Sequence, residues 1–311
     1  MKVSVAMITY NHERFIAQAL ESVLAQQVNF DYEIVVGEDC STDRTREILM
    51  DFHRRYPDKI VPLLRERNLG TMPNFEATLA KCQGKYLAIL EGDDCWKFPD
   101  KLQRQVDFLD AHPDFAMCCS RAEVVDEGGA DAAWIWPSRA AGAYGLEDLL
   151  AENFIATCSV LYRWGSLGSL PPWFHKMKLG DWPLHALVAR TGKIELMDDV
   201  MAVYRMHAGG IWSSLSERTR LRATVQMMRE LDRQLEFRYT RIIRKTIAGF
   251  YSGMAMIARQ EGRRVETAKH LASCVWNGGL KERGNRRTLA SFAGYALMGS
   301  WYKVFSKTKR A

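Results

Sequence analysis

Short apolar runs alternate with longer amphipathic stretches over the first 90 residues of this 311-residue chain. Four runs rich in β-branched and other apolar residues predict strands, at residues 3–8, 32–37, 60–64 and 86–90. The stretches between them carry apolar residues on one helical face and predict helices, at about residues 15–24, 42–55 and 73–81. Strands that alternate with helices build parallel sheets, so the pattern predicts an α/β fold.

A polar loop follows each of the four predicted strands. In chain order, these loops contain Thr9 and Asn11, then Asp39, then Arg67, and finally Glu91, Asp93 and Asp94. Ligands of parallel sheets bind outside the carboxyl ends of the strands. We therefore expect these side chains to line one crevice.

The densest negative charge follows the fourth strand directly, in the motif Glu91-Gly92-Asp93-Asp94. Carboxylates at the rim of an apolar core repel one another and lose solvation unless a cation or hydrogen-bond donors compensate them. Mg2+ and Mn2+ take oxygen ligands and often share carboxylates with substrate phosphates. The motif therefore predicts half of a metal site, which a nucleotide completes. The alternative is an acidic surface turn that caps the next helix, near residue 100.

Five motifs in order resemble the family 2 glycosyltransferases with the GT-A fold: residues 3–11, 20–27, 38–43, 68–70 and 91–94. The resemblance covers about the first two thirds of the chain. It implies a Rossmann-like, mixed and mostly parallel sheet flanked by helices. It also implies an inverting transferase that uses Mn2+ or Mg2+ and moves a sugar from a nucleotide diphosphate donor to an acceptor hydroxyl. Many relatives carry Asp where this chain has Glu91.

The resemblance also implies roles for individual residues. Those expected to bind the nucleotide are Thr9, Asn11, Asp39, Arg67, Glu91, Asp93 and Arg205. Among them, Asp39 would accept a hydrogen bond from the base, and Arg205 would clamp the diphosphate. The metal ligands would be Asp93, Asp94 and His207, the last from a Gly-rich loop that resembles the family's late His-containing loop.

Asp181 occurs in the sequence Gly180-Asp181-Trp182-Pro183, which resembles the family's acidic motif at a helix start in the acceptor half. The resemblance implies that Asp181 is the general base, which removes the proton from the attacking hydroxyl. Such proton removal gains a factor of about 100 to 10,000. Relatives often have Glu where this chain has Gly180. The alternative role for Asp181 is an N-cap of a helix over residues 183–190, because Pro is favoured in a first helical turn.

Positive charge is concentrated at the C-terminal end. From residue 217 onward there are 21 Lys and Arg against 7 Asp and Glu, in a chain whose overall net charge is +6. This asymmetry predicts a catalytic domain over residues 1–216 and a basic helical appendage over residues 217–311. Helical spacing predicts helices at residues 218–244, 246–259 and 265–272. An aromatic segment at residues 289–305, bordered by basic residues, either lies on an anionic membrane surface or packs within the appendage.

Other features limit the classes of protein. Seven scattered cysteines without a C-x-x-C pair fit a reduced, cytoplasmic chain without structural zinc. Because the first predicted strand begins close to Met1, we expect no signal peptide. We expect a cytoplasmic enzyme, peripheral on the inner face of the membrane, that uses a UDP-sugar and a saccharide or lipid-linked acceptor in surface polysaccharide synthesis. A nucleotidyltransferase of the same fold would require a Gly-rich first loop, whereas the first loop of this chain reads Thr9-Tyr10-Asn11-His12. A non-catalytic protein that binds nucleic acid through the basic tail would not require the acidic motif, so nucleic acid is not an expected partner.

Overall fold

The computed structural model describes residues 1–127, 133–166, 170–210, 212 and 214–278. The chain divides into two compact units, Met1–Ser214 and a second unit that begins at Leu215. This division lies two residues before the boundary suggested by the charge pattern. The assignment of catalysis to the first unit remains a prediction.

In the described part of the first unit, ten strands form one sheet: β1 (Val3–Thr9), β2 (Tyr32–Glu38), β3 (Ile60–Leu64), β4 (Tyr86–Ile89), β5 (Cys95–Trp96), β6 (Phe115–Asp126), β7 (Trp134–Trp136), β8 (Gly142–Tyr144), β9 (Leu161–Arg163) and β10 (Lys193–Met206). The helices there are α1 (Ile16–Leu24), α2 (Thr45–Arg55), α3 (Thr71–Leu79), α4 (Lys101–Ala111), α5 (Leu146–Ala151) and α6 (Asp181–Ala189).

The main strand order is β3-β2-β1-β4-β9-β6-β10-β5. The first four strands of this order pair in parallel, as the alternating pattern predicts. Strand β9 pairs antiparallel with β4 and β6, whereas β6 and β10 form the longest parallel ladder. The predicted mixed, mostly parallel sheet is therefore confirmed.

Burial explains why the strands have continuous apolar sequences. Strands β2 and β4 are buried along their whole length, as expected for parallel strands covered on both faces. Helix α1 buries Ile16, Ala19, Leu20 and Val23, the face that the helical spacing predicts. Each fully buried aliphatic side chain contributes about 1.5–3 kcal/mol of hydrophobic stabilisation.

Helix α2 begins at Thr45, three residues later than the sequence pattern predicts. The preceding residues bind the loop after β1 instead. The backbone N–H of Thr42 donates to Asn11 Oδ1 at 2.8 Å, and Asp43 accepts from the backbone N–H of Glu13 at 3.0 Å. These contacts join segments about 30 residues apart, so helical propensity alone does not indicate where the helix begins.

The second unit contains α7 (Glu217–Gln234), α8 (Thr240–Gln260) and α9 (Arg264–Trp276) in its described residues. The prediction of one helix over residues 218–244 is wrong, because the chain turns between α7 and α8. Glu236 and Phe237 have φ angles of 54° and 60°, and the N–H of Phe237 donates to the carbonyl of Asp232 at 2.9 Å. This left-handed ending is usually made by glycine, and none is present here.

Among the described helices, none combines the length and apolar character needed to cross a bilayer. The aromatic segment at residues 289–305 lies outside the described residues. Its two alternative placements remain predictions.

Lys101, at the start of α4, is fully buried. Its Nζ atom donates to Gln105 Oε1 at 2.7 Å and lies 4.2 Å from the centroid of the Trp96 ring. It makes no ion pair with a carboxylate in the described part of the chain. Burial lowers the pKa of Lys101 to about 7, because the charged ammonium loses its solvation.

We expect Lys101 to make the free energy of unfolding depend on pH between about 7 and about 10.4. The unfolded lysine keeps its proton to a pKa of about 10.4, whereas the folded lysine releases it near 7, so the unfolded state binds more protons between these values. The free energy of unfolding should therefore rise with pH across this window, by up to about 1.4 kcal/mol per pH unit. Urea unfolding of wild type and Lys101→Met at several pH values measures this slope. The exposed substitution Lys81→Met should leave it unchanged, and equal slopes in wild type and Lys101→Met would contradict the assignment.

Candidate active site

The loops after β1 and β2 are held together by Asn11. Its backbone N–H donates to Ser41 Oγ at 3.0 Å, and its side-chain Oδ1 accepts from the backbone N–H of Thr42 at 2.8 Å. Asn11 has a φ of 55°, a left-handed conformation that Asn tolerates better than most residues. Asn11 therefore fixes the relative positions of the first two loops at the carboxyl edge of the sheet.

Asp39 joins the loops after β2 and β3. Its two carboxylate oxygens accept the backbone N–H groups of Leu69 and Gly70, at 2.8 and 2.9 Å, and its side chain is almost fully buried. Gly70 precedes α3 with a φ of 85°, a conformation that favours glycine. Arg67 lies in the same loop, is exposed, and makes no hydrogen bond or ion pair to the described residues.

Asp93 is the centre of a group of three potential metal ligands. Its Oδ2 atom lies 3.0 Å from His207 Nε2 and 3.6 Å from His12 Nε2. One ligand atom from each of the three residues lies within 4.8 Å of the other two. The structure therefore brings together the predicted ligands Asp93 and His207 and adds His12, which sequence reasoning missed.

The protonation of this group suits a divalent ion. Burial opposes ionisation of Asp93, but the hydrogen bond with His207 and the charges of both histidines lower the pKa of the carboxyl group. Burial lowers the pKa of His12, although the charge of Asp93 acts in the opposite direction. Metal ions bind ionised carboxylates and neutral imidazoles, and the lowered pKa of His12 favours its neutral form. A bound cation would replace the histidine charges in keeping Asp93 ionised.

Asp94 is not a member of this three-residue group. Its carboxylate is buried and accepts the backbone N–H of Arg205 at 2.8 Å. Burial and the nearby charges of Asp93 and Glu91 raise the pKa of Asp94 well above its ordinary value. Its predicted role as a metal ligand is not supported by this arrangement and remains a prediction.

The side chain of Arg205 is buried and fully engaged. Its guanidinium donates to the carbonyl of Asp93 at 2.5 Å and to Gln18 Oε1 at 2.6 Å, and its Nε lies 3.7 Å from a carboxylate oxygen of Glu127. Together with the backbone contact to Asp94, these bonds hold the acidic turn against β10. Contact of Arg205 with a diphosphate remains a prediction.

Asp181 is the first residue of α6, and Gly180 occupies the N-cap position. The alternative role of Asp181 as the N-cap is therefore wrong. Thr157 Oγ1 donates to Asp181 Oδ2 at 3.5 Å, and burial raises the pKa of Asp181 despite this and other hydrogen bonds. The carboxyl group thus lies in a setting that favours proton acceptance closer to neutral pH.

Glu91 connects the metal-ligand group to Asp181. Burial, followed by the negative charges of Asp93 and Asp181, raises the pKa of Glu91 to about 8. Its Oε2 atom is buried and has no hydrogen-bond partner among the described residues. The charges of Asp93 and Asp181 therefore both act on Glu91.

Thr9 Oγ1 and His12 Nδ1, in and after β1, are also buried and have no hydrogen-bond partner among the described residues. Both lie beside Gly92, where an added Cβ would be 2.7 Å from Thr9 Oγ1 and 3.0 Å from His12 Nδ1. Buried polar groups normally have partners. A polar ligand in the crevice would provide them, and Gly92 leaves the space in which these atoms approach one another.

Comparison with known proteins identifies the class of protein that carries this site. A family model described as "Glycosyl transferase family 2" matches residues 4–163, about half of the chain. The chain therefore belongs to glycosyltransferase family 2, a family of enzymes, as its motifs predict.

One similar protein is the uncharacterized protein Rv1520 of Mycobacterium tuberculosis, which is 40% identical over 213 residues. The aligned region covers 68% of this chain and 61% of Rv1520, so the chain spans about three fifths of the length of this relative.

Two solved structures share the fold. One is TarS 1-349 of S. aureus in complex with UDP-GlcNAc, with a TM-score of 0.63, 19% identity and coverage of 89% of this chain and 81% of TarS. The other is the mannosyltransferase PcManGT of Pyrobaculum calidifontis in complex with GDP-Man and Mn2+, with a TM-score of 0.57, 17% identity and coverage of 95% and 80%. The predicted GT-A fold is confirmed.

We expect Asp93→Asn and His12→Gln each to weaken Mn2+ binding in the absence of nucleotide, by about tenfold or more. Each change removes or weakens a ligand, and even outer-shell changes cost about 10–100-fold in metal affinity. Titration calorimetry of the full chain measures the effect. The matched control is His175→Gln, since His175 is exposed and distant in sequence from the group. Unchanged Mn2+ affinity in both variants would exclude this metal site.

Proposed function

We propose that this protein transfers a sugar from a nucleotide diphosphate donor to an acceptor hydroxyl, with inversion at C1. The observation that carries the proposal is the grouping of Asp93, His12 and His207 at one point of a family 2 fold. Glu91 lies two residues before Asp93, and its pKa is raised by the charges of Asp93 and Asp181. A UDP-sugar is the proposed donor. The structural similarity to TarS, which was solved with UDP-GlcNAc, supports this choice.

In the proposed complex, the nucleotide lies across the carboxyl ends of β1, β2 and β4. Each oxygen of Asp39 has a second lone pair besides the one that accepts a backbone N–H, so the carboxylate can also accept from the base. The exposed Arg67 guanidinium can reach the base or the phosphates. Glu91, protonated near neutral pH, can both donate to and accept from a ribose hydroxyl.

Asp93, His12 and His207 would hold a divalent cation. Two imidazoles and one carboxylate favour Mn2+ over Mg2+, because Mg2+ prefers oxygen ligands alone. When bound, such an ion stabilises the negative charge of the leaving diphosphate. The Mn2+ of the structurally similar mannosyltransferase supports this assignment.

In the proposed chemical step, Asp181 acts as the general base. The acceptor oxygen forms a bond to C1 while the bond from C1 to the diphosphate oxygen breaks, and Asp181 takes the hydroxyl proton. The raised pKa of Asp181 makes its carboxylate a stronger base than an exposed aspartate. Thr157 holds the carboxylate in place by its hydrogen bond. Attack from the face opposite the leaving group inverts the configuration at C1.

The proposed acceptor is a saccharide or a lipid-linked saccharide used to build surface polysaccharide. Support comes from the basic composition after residue 216, which would favour a position at an anionic membrane surface facing the cytoplasm.

Replacement of the proposed base should separate catalysis from donor binding. Asp181→Asn should lower the transfer rate by about two to four orders of magnitude and leave the dissociation constant of the donor nearly unchanged, because the base acts on the acceptor. Single-turnover kinetics and calorimetry with UDP-sugar measure the two effects. Asp58→Asn, an exposed substitution with the same change of charge, should alter neither. An equal loss of donor affinity would show that Asp181 is structural.

Replacement of Asp39 tests the proposed base contact. Asp39→Asn should weaken binding of UDP by about tenfold, the size expected for a hydrogen bond to a charged group, and should leave binding of pyrophosphate unchanged. Competition binding with the two ligands provides the comparison. If both affinities fell equally, Asp39 would act only by holding Leu69 and Gly70.

A further inference from the structure

A cavity of about 490 Å³ lies within the second unit, lined by residues of α7, α8 and α9. This volume is in the range of small-ligand sites. Three of the lining residues are arginines of α7: Arg222, Arg229 and Arg233. Their spacing of seven and four residues places them on one face of the helix.

The three guanidinium groups differ in how their charge is compensated. Arg222 pairs with Glu266 at 3.0 Å, and Arg233 pairs with Glu230, which also lines the cavity. Arg229 donates to the hydroxyl of Tyr251 at 2.9 Å and makes no ion pair in the described part of the chain. The phenol orients the guanidinium without neutralising it, so the charge of Arg229 and most of its N–H donors are available to a ligand.

The remaining lining gives the cavity two different surfaces. Val225 and Met254 are buried apolar side chains, with 5% and 2% of their surface exposed. They add apolar surface to the lining of the cavity. His270 also lines the cavity, and its Nε2 atom is buried without a hydrogen-bond partner, 3.6 Å from a carboxylate oxygen of Glu266.

Phosphoryl groups match this arrangement best. The planar fork of an arginine donates two parallel hydrogen bonds to a phosphate, and such charge-assisted bonds are about twice as strong as neutral ones. Arg229 and Arg233 are one helical turn apart, so they can approach neighbouring phosphoryl groups or two oxygens of one group. A lining that combines apolar and cationic side chains further suits a phosphate that is esterified to an apolar group.

We infer that this cavity of the second unit is a binding site for phosphoryl groups, with Arg229 as its principal contact. The site is separate from the donor crevice of the first unit and goes beyond the proposed transfer reaction. Two sources carry this chemistry, the headgroup of an anionic phospholipid and a free phosphate or diphosphate compound.

The test uses the full chain and two probes. Inorganic pyrophosphate is titrated calorimetrically in the presence of a chelator, which removes binding through a divalent ion. Co-sedimentation is measured with phosphatidylcholine vesicles that contain or lack phosphatidylglycerol. The variants are Arg229→Gln and Tyr251→Phe, and the control is Arg241→Gln, which removes the same charge from an exposed position of α8 outside the cavity.

Arg229→Gln should weaken binding of at least one probe by about tenfold, and Tyr251→Phe should do so by a smaller factor, whereas Arg241→Gln should bind like wild type. A loss confined to pyrophosphate identifies a free phosphate compound as the ligand, and a loss confined to phosphatidylglycerol vesicles identifies a lipid headgroup. Circular dichroism and thermal unfolding establish that each variant is folded. If wild type bound neither probe, or if Arg229→Gln and Arg241→Gln gave equal affinities, the inference would be wrong.

Discussion

The candidate active site depends on the contact between Arg205 and the acidic turn after β4. Backbone and side chain of Arg205 both take part, since its N–H binds Asp94 and its guanidinium binds the carbonyl of Asp93. These residues are about 110 positions apart in the chain. The contact fixes the end of β10 against the turn, and two residues later the same strand end places His207 beside Asp93.

Differences in pKa explain how three carboxyl groups are tolerated at the rim of the core. Glu91, Asp93 and Asp94 lie close together, and burial raises the pKa of two of them. Only Asp93, which faces His12 and His207, has its pKa lowered. The arrangement thus concentrates ionised carboxylate at one point, where a divalent cation and a leaving diphosphate would meet in the proposed reaction. Asp181 lies close enough to affect the pKa of Glu91, so the proposed base belongs to the same electrostatic group.

Local patterns predict the parallel core and the polar residues at the carboxyl ends of its strands. The strands before Thr9, Asp39 and Glu91 are apolar runs whose ends are marked by polar residues, and parallel topology brings such ends together. The local sequence indicates a role for His12 only through its position beside Asn11. Its contact with Asp93 joins residues about 80 positions apart, so no local pattern predicts it. The engagement of Arg205 by Asp93, Gln18 and Glu127 is likewise a product of long-range packing. The turn at Glu236 and Phe237 contains neither glycine nor proline, so no local sequence feature predicts the break between α7 and α8.

In the proposed reaction, this crevice breaks a sugar–diphosphate bond with inversion at C1. The reaction is measured by incubating the full chain with Mn2+ and a panel of α-linked nucleotide sugars. Proton NMR then records nucleotide release and the anomer that forms first in slow hydrolysis. We expect nucleotide release from at least one donor, most readily a UDP-sugar, and we expect the β-anomer of the sugar to form first. Release of the α-anomer first, or no release from any donor, would contradict the proposed reaction.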